Sequence, residues 1–368
     1  MDDSFDIIIV GGGPAGAVCA AVATAGGARV LVVERAVFPR DKVCGDCLNP
    51  ACWDVFDRLG LTDAVRALPH AILERVSFVS RRGHGLEFAM EKSDRGEIAV
   101  RRRHLDALLL HHAMQSGAEV RQNTALIGAA RKEAGWEVTM QRDGATQRAR
   151  AHFLVAADGR NSTVARFAGL RAPRGTSRDR VGLQAHVPLP AALERTVQLR
   201  WLEGGYGGLA PVGEGLLNIS LAGRPGQIES LKAWAAAEFG AIDEWRTIAP
   251  LARRAFPAAR DDGLFLVGDA ARVVEPFTGE GIFYALRSAE LAAAALGEVL
   301  GGKCSTPETV RAYRRQHASL YRGRLWINRL AKAAVLHPGV AETFLKLAAR
   351  RPGWLRFLTS KVVGPLRA

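Results

Sequence analysis

The sequence predicts an α/β protein: a parallel sheet extended by a β-meander, an antiparallel sheet inserted between its late strands, and a helical C-terminal tail. Three observations predict it. The short apolar runs Ile7–Val10, Phe153–Ala157 and Leu264–Val267 each lead into a glycine-bearing turn, as strands buried on both faces do. Between the second and the third, Arg180–Ala222 changes to strand-like stretches separated by turns, a composition typical of antiparallel sheet. Beyond Thr309 the chain becomes basic, with apolar residues at helical spacing.

The first run opens the unit DIIIVGGGPAGAVCAAVATAGGARVLVVE, which reads as strand, glycine turn, helix and second strand. Gly11, Gly13 and Gly16 stand at G-x-G-x-x-G spacing, followed by Pro14 and Ala15 in a helix of small residues. The first glycine permits the tight turn, the second lets backbone approach a pyrophosphate, and the third lets helix and strand pack closely. Glu34 ends the second strand where an acid accepts hydrogen bonds from a ribose 2′-hydroxyl, and Arg35 follows it. An unphosphorylated adenosine ribose, as in FAD or NAD, fits this pattern better than NADP.

After Glu34, the loop RAVFPRDKVCGDCLNPACW is too rich in Pro, Gly and Asp for a regular element. Helices are predicted at Pro50–Leu59 and Asp63–Leu68, and strands at Arg75–Ser80, Leu86–Met90 and Glu97–Val100. The C-x-x-C of Cys44 and Cys47 admits a redox-disulfide reading and, against it, a structural role. Next comes an amphipathic helix that opens on Arg101–Arg103. Positive charge is unfavourable at a helix N-terminus, so an anionic partner is expected there. Segments Ala125–Arg131 and Trp136–Gln141 read as the meander, Asp158-Gly159 as a turn, and Ser162–Ala168 as a helix. After the antiparallel stretch and a helix at Ile228–Phe239, the third buried run ends at Gly268-Asp269. A long helix then opens at Gly279–Gly281.

Composition bounds the remainder. The chain has 368 residues, 48% of them hydrophobic, enough for one large or two intimately joined domains. Five cysteines and an acidic N-terminus lead to the expectation of reduced thiols in a cytoplasmic protein without signal peptide or membrane span. Nearly all of the net charge of +13 lies in Thr309–Ala368, where thirteen Lys or Arg face the single acid Glu342. Cys and His do not cluster at zinc spacing, and no nucleic-acid-binding signature appears, so neither metal nor nucleic acid is expected. His84, His104, His111 and His112 fall on loops or the amphipathic helix, where surface or packing roles are expected.

The G-x-G-x-x-G with Glu34, then Asp158-Gly159, then Gly268-Asp269 with Pro276 and a glycine-opened helix, form an ordered triple. By these motifs the chain resembles the FAD-dependent oxidoreductases of the aromatic hydroxylase and geranylgeranyl reductase superfamily, over about all of its length to Leu300. The resemblance implies a glutathione-reductase-type FAD-binding Rossmann domain. Residues 1–73, 97–175 and 255–303 would form it, 74–96 and 176–254 a substrate domain, and 304–368 a basic helical region. It implies that Asp269 binds the ribityl chain and that the amides of Gly279, Gly281 and Ile282, with Pro276, meet the flavin ring. Arg102, in an Arg-x-x-Leu-Asp match that ends at Asp106, would contact the phosphate region. Leu126 would lie on the adenine side, and Asp158 near both FAD and a transiently bound NAD(P)H. The segment KVCGDCLNP is closest to the reductase branch, where a Cys-Gly pair, here Cys44 and Gly45, sits beside the flavin.

The pattern departs at the lipid tunnel. The reductases' Tyr-x-Trp-x-Phe-Pro is here Tyr206, Gly208, Ala210 and Pro211, which removes aromatic surface and leaves room for a bulkier or more planar substrate. An NAD(P)H-driven monooxygenase of a hydrophobic or aromatic, polyketide-like substrate, acting through a C4a-hydroperoxyflavin, is therefore the first expectation. Reduction of an isoprenoid or lipid double bond is the alternative. A halogenase, whose Trp-x-Trp-x-Ile-Pro is missing, and a non-catalytic lipid-binding protein rank below both. The basic tail is expected either to cap the substrate domain or to dock an anionic membrane face or an acyl carrier protein.

Overall fold

The computed structural model describes residues 3–90, 93–170, 179–251, 254–274 and 279–322. The chain opens with β1 (Ser4–Val10), α1 (Pro14–Ala25) and β2 (Val30–Val33). A long loop leads to β3 (Cys47–Leu48), a 3-10 turn at Pro50–Cys52, α2 (Trp53–Arg58), α3 (Thr62–Arg66), β4 (His70–Ile72), β5 (Arg75–Val79), β6 (Gly85–Ala89) and β7 (Ile98–Val100). Then come α4 (Arg102–Gln115), β8 (Glu119–Arg121), β9 (Ala125–Lys132), β10 (Gly135–Arg142), β11 (Ala145–Ala156) and α5 (Thr163–Phe167). The inserted region holds β12 (Val181–Pro188), β13 (Thr196–Leu202), β14 (Gly205–Pro211), β15 (Leu216–Gly223), α6 (Ile228–Phe239) and β16 (Arg246–Ile248). The chain returns through β17 (Arg254–Ala255), β18 (Leu264–Leu266) and β19 (Arg272–Val273) to α7 (Gly281–Leu300) and α8 (Thr306–Ser319).

Five strands run parallel in the order β8-β2-β1-β11-β18. β11 is long enough to serve two purposes: its second half pairs with β1 and β18, and its first half continues the antiparallel meander β9-β10-β11. Ile7, Ile8 and Ile9 are fully buried, as a strand covered on both faces requires. Helices α1 and α7 pack against each other, and Ala17, Ala20, Ala289 and Ala292 are buried in the core cluster that both helices share. A second seven-stranded sheet, in the order β16-β12-β15-β14-β13-β5-β6, is antiparallel except where β13 and β5 run parallel.

The loop between β2 and β3 is fastened to this second sheet by a buried polar network. Cys44 O accepts from Gln184 Nε2 at 2.8 Å, Asn218 Nδ2 at 2.8 Å and Ser220 Oγ at 3.1 Å. Asp46 Oδ2 accepts from Gln184 Nε2 at 3.1 Å and Asn218 Nδ2 at 2.8 Å, and His186 Nε2 lies 3.3 Å away. The amide of Arg102 donates to Asp46 Oδ1 at 3.3 Å, and that of Val100 to the Asp46 carbonyl at 2.9 Å. Asp46 is 1% exposed and holds φ at 60°, a region that aspartate tolerates better than most residues. Burial pushes its carboxyl above the ordinary value, and the hydrogen bond and charge of His186 oppose that rise.

The first part of the basic region is packed. Tyr313 on α8 is fully buried and donates its hydroxyl to Leu266 O at 2.8 Å, and Arg314 Nε donates to Ala259 O at 2.7 Å. The rest of that region, 323–368, lies outside the described residues, and with it most of the tail for which the membrane or carrier-protein contact is expected. No helix among the described residues is long and apolar enough to cross a membrane.

The network predicts the outcome of Asp46→Ala. Several buried donors lose their acceptor at once, so the variant should lose about 3 kcal/mol in a denaturant titration. Asp63→Ala, at a fully exposed side chain, should change stability by less than about 0.5 kcal/mol. Equal midpoints for the two variants would remove the network from the account of the fold.

Candidate functional site

A cavity of about 1000 Å³ runs along the C-terminal ends of the parallel strands and on against the second sheet. The glycine turn after β1 forms part of its wall. Gly11 has φ +104°, and a Cβ there would lie 2.5 Å from Ala157 O. Gly16 does not line the cavity: a Cβ on it would fall 1.8 Å from Gly11 O, so it is the residue that lets α1 close on the turn. Gly13, Pro14 and Ala15 do line it. No side chain caps α1 and no acid stands in its first turn, which leaves its amides to an anionic ligand.

Glu34 lines the cavity and also fixes the turn. Its Oε2 accepts from the Gly12 amide at 2.6 Å and its Oε1 from the Ala36 amide at 2.8 Å. Each carboxylate oxygen keeps a second lone pair for a ribose hydroxyl.

Arg35 and Arg102 line the cavity, and Arg40, Lys42 and Arg160, which sequence reasoning missed, join them. Arg102 holds the fully buried Asp106 through two bonds of 2.7 and 2.8 Å, and Arg40 reaches the same carboxylate at 3.0 Å. Burial pushes the Lys42 ammonium down to about 8, helped by the like charges of Arg102, Arg40, Arg35 and Arg160. A bound pyrophosphate would relieve that repulsion. Leu126 on β9 stands on the same wall.

The second and third motif turns meet across the cavity. Asp158 Oδ2 accepts from the amides of Thr163 at 2.6 Å and Val164 at 3.1 Å, at the start of α5, while its buried Oδ1 meets no donor among the described residues. Arg160 NH2 lies 3.2 Å from Asp269 Oδ2, tying the turn after β11 to the turn after β18. Gly268 does not line the cavity; its amide donates to Ser288 Oγ at 2.8 Å and seats α7 on the turn. Gly279, Gly281 and Ile282 do line it, and among the described residues no atom lies within 4 Å of a Cβ placed on either glycine. The first turn of α7 carries no acid, and among the described residues no side chain caps it. Pro276 lies outside the described residues.

At the other end, Tyr206, Gly208 and Ala210 line the cavity and Pro211 does not. The expected loss of aromatic surface needs correction. Phe78 on β5 and Trp201 on β13 line the same cavity, stacked with centroids 6.1 Å apart and planes 29° from parallel. Trp201 was readable as the inward member of an alternating strand; Phe78 was not, because its strand joins this sheet from far away in sequence.

Cys44, Gly45 and Cys47 all face the cavity, and both thiols are free. Cys47 Sγ donates to Gly45 O at 3.4 Å, and burial pushes both thiols above their ordinary value. A working dithiol needs a lowered value, so these two do not suit disulfide exchange. His104 pairs with Glu214 at 3.2 Å in a partly exposed position, a packing role. Glu97, half-buried, also faces the cavity. Among the described residues no group of His, Cys, Asp and Glu is placed to hold a metal ion.

These features fit FAD. Among the described residues, two uncapped helix N-termini, the orphaned Asp158 oxygen, the bare faces of Gly279 and Gly281, and the cations around Lys42 answer to phosphates, ribityl hydroxyls and flavin carbonyls. The cavity stands at the upper end of the range of about 300–1,000 Å³ usual for ligand sites.

Comparison with known proteins agrees. Residues 4–203 and 229–320 match the family described as FAD binding domain. The chain is 32% identical over 321 residues to the menaquinone reductase of Mycolicibacterium smegmatis, covering 80% of this chain and 76% of that one. It is 28% identical over 303 residues to the rifampicin monooxygenase of Streptomyces venezuelae, covering 77% of this chain and 62% of the other. Among solved structures, a geranylgeranyl bacteriochlorophyll reductase-like protein of Thermoplasma acidophilum superposes with a TM-score of 0.78 at 22% identity, covering 90% of this chain and 87% of that one. The fold, the cradle and the extent of these matches lead to one conclusion: the chain is an FAD-dependent oxidoreductase and belongs to the FAD binding domain family.

Proposed function

We propose that the chain is an NAD(P)H-driven monooxygenase that hydroxylates a hydrophobic, ring-bearing substrate. The observation that carries this reading is the continuity of the cavity. The cofactor cradle opens directly into a compartment walled by Phe78, Trp201 and Tyr206, and Gly208 and Ala210 leave that wall flat enough for a planar ring. Bound FAD would supply hydride acceptance and oxygen activation. The protein's own contribution is positional. Gly13, Arg40 and Arg102 would hold the pyrophosphate, Asp269 the ribityl chain, and the amides of Gly279 and Gly281 the electron-rich edge of the ring. The apolar wall excludes water from the reacting atoms. The sequence contains no second G-x-G-x-x-G, so NAD(P)H would bind transiently in the open part of the groove.

A second reading, reduction of a carbon–carbon double bond, is favoured by the similarity to menaquinone reductase and by Cys44 in the cavity wall. The two differ in their products. Incubation with a hydrophobic aromatic panel, NAD(P)H and air should give a product one oxygen atom heavier, with no product under nitrogen. A product two hydrogens heavier that forms equally well without oxygen would replace hydroxylation by reduction.

The cradle itself makes two further predictions. Asp269→Ala should weaken FAD by about tenfold or more, the worth of one charge-assisted hydrogen bond, and leave mostly apoprotein after dialysis. A full flavin complement in that variant would show that the isoalloxazine end is misplaced. Cys44→Ser and Cys47→Ser should each keep most of the NAD(P)H oxidation rate; its complete loss in both would restore the dithiol.

A further inference from the structure

Six acids line the cavity, and five of them are engaged. Glu34 holds two backbone amides, Asp41 lies against Arg101 and Arg246, Asp46 anchors the loop network, Asp158 holds amides at the start of α5, and Asp269 faces Arg160. Glu97 is the sixth, and no donor among the described residues reaches its carboxylate. It stands one residue before β7, the fully buried strand whose Ala99 packs in one apolar cluster with Cys47, Met90, Val197 and Ala210. Cys47, Met90, Val197 and Ala210 also line the cavity, so this carboxylate projects from an apolar wall at the end away from the nucleotide turn. Burial pushes it up to about 7, and its charge in turn helps to push up Cys47 and Cys52.

An unpaired carboxylate on a greasy wall is costly unless something bound there answers it. We propose that Glu97 is the substrate-anchoring group of the apolar compartment and selects a hydrophobic ring that carries an acidic hydroxyl, a phenol or hydroxyarene. The inference rests on the ring-binding reading above and names the substrate class for it. In the role assigned to Glu97, the ionised carboxylate accepts a hydrogen bond from the substrate O–H, a charge-assisted bond that an ether or a bare ring cannot give.

The titratable groups on the elements around Glu97 do not compete for this role. Cys47 on β3 and Cys52 in the turn after it are held as thiols by burial. His70 on β4 gives Nδ1 to Leu68 O, while Glu74 and Arg75 beyond that strand are engaged with Arg195 and with Thr196. Arg95, just before Glu97 in the chain, is turned to Asp57 at 2.6 Å.

The test uses the FAD-loaded protein and two probes with the same rings, 2-naphthol and its methyl ether. Equilibrium dialysis would be run well below and well above the value at which Glu97 titrates. Above it, wild type should bind the naphthol about tenfold more tightly than the ether, and below it the preference should shrink to about twofold. Glu97→Gln keeps the shape, and should show the small preference at both pH values with an unchanged flavin content. Equal affinity of wild type for both probes, affinity for neither, or a pH-dependent preference that survives in Glu97→Gln would overturn the proposal. Flavin content and NAD(P)H oxidation are measured on the same samples. If turnover fails while the naphthol preference follows Glu97, the monooxygenase reading falls and the anchoring role stands.

Discussion

The arrangement depends on one buried charge. Asp46 brings the loop after β2 against β12 and β15, and through the amides of Val100 and Arg102 it also sets where β7 ends and α4 begins. A carboxylate at 1% exposure is unfavourable in itself, and it is tolerated because both of its oxygens are hydrogen-bonded. Since Cys44 O shares donors with Asp46, the loop between them has little freedom. Cys44 and Gly45 are therefore presented to the cavity by a fixed backbone, while the amphipathic helix behind it carries Arg102 to the same wall.

That fastening explains how a single cavity can be polar at one end and apolar at the other. The parallel sheet supplies turns, and turns supply unpaired amides and short polar side chains. The second sheet supplies strand faces, where alternate residues present rings and aliphatic groups. The seam between them carries the protonated thiols of Cys44 and Cys47, which suit a boundary between the two media better than thiolates would. Charge is confined to groups that hold one another, as Arg102 and Arg40 hold Asp106.

Much of this was legible in the residues. The strand β1, the glycine turn and α1 follow from short-range sterics, and so does the role of Gly16 as a packing residue. Asp158 and Asp269 were visible because each follows a buried strand. What escaped was whatever depends on partners remote in sequence. Asp46 looks like an ordinary loop aspartate until Gln184, His186 and Asn218 arrive from strands about 140 to 170 positions away. Glu97 reads as the polar start of a strand, because nothing local says that its surroundings will be apolar. The aromatic wall escapes a local reading for the same reason: Gly208 and Ala210 are small, but Phe78 enters through a parallel pairing of β5 with β13 that no local pattern announces.

The position of β18 has a consequence for the order in which the molecule can assemble. It lies beside β11, yet it enters the chain more than one hundred residues later, after the whole inserted sheet. A nascent chain that has just completed the glycine turn and β11 still exposes the edge at Leu154–Ala156, an apolar strand edge open to pairing with other chains. Only when Leu264–Leu266 emerges is that edge covered, and only then can Asp269 and the start of α7 close the flavin end of the cradle. Long-range parallel pairing is slow, so flavin capture must come late in biogenesis, and a chain that stalls before β18 is the form most exposed to aggregation.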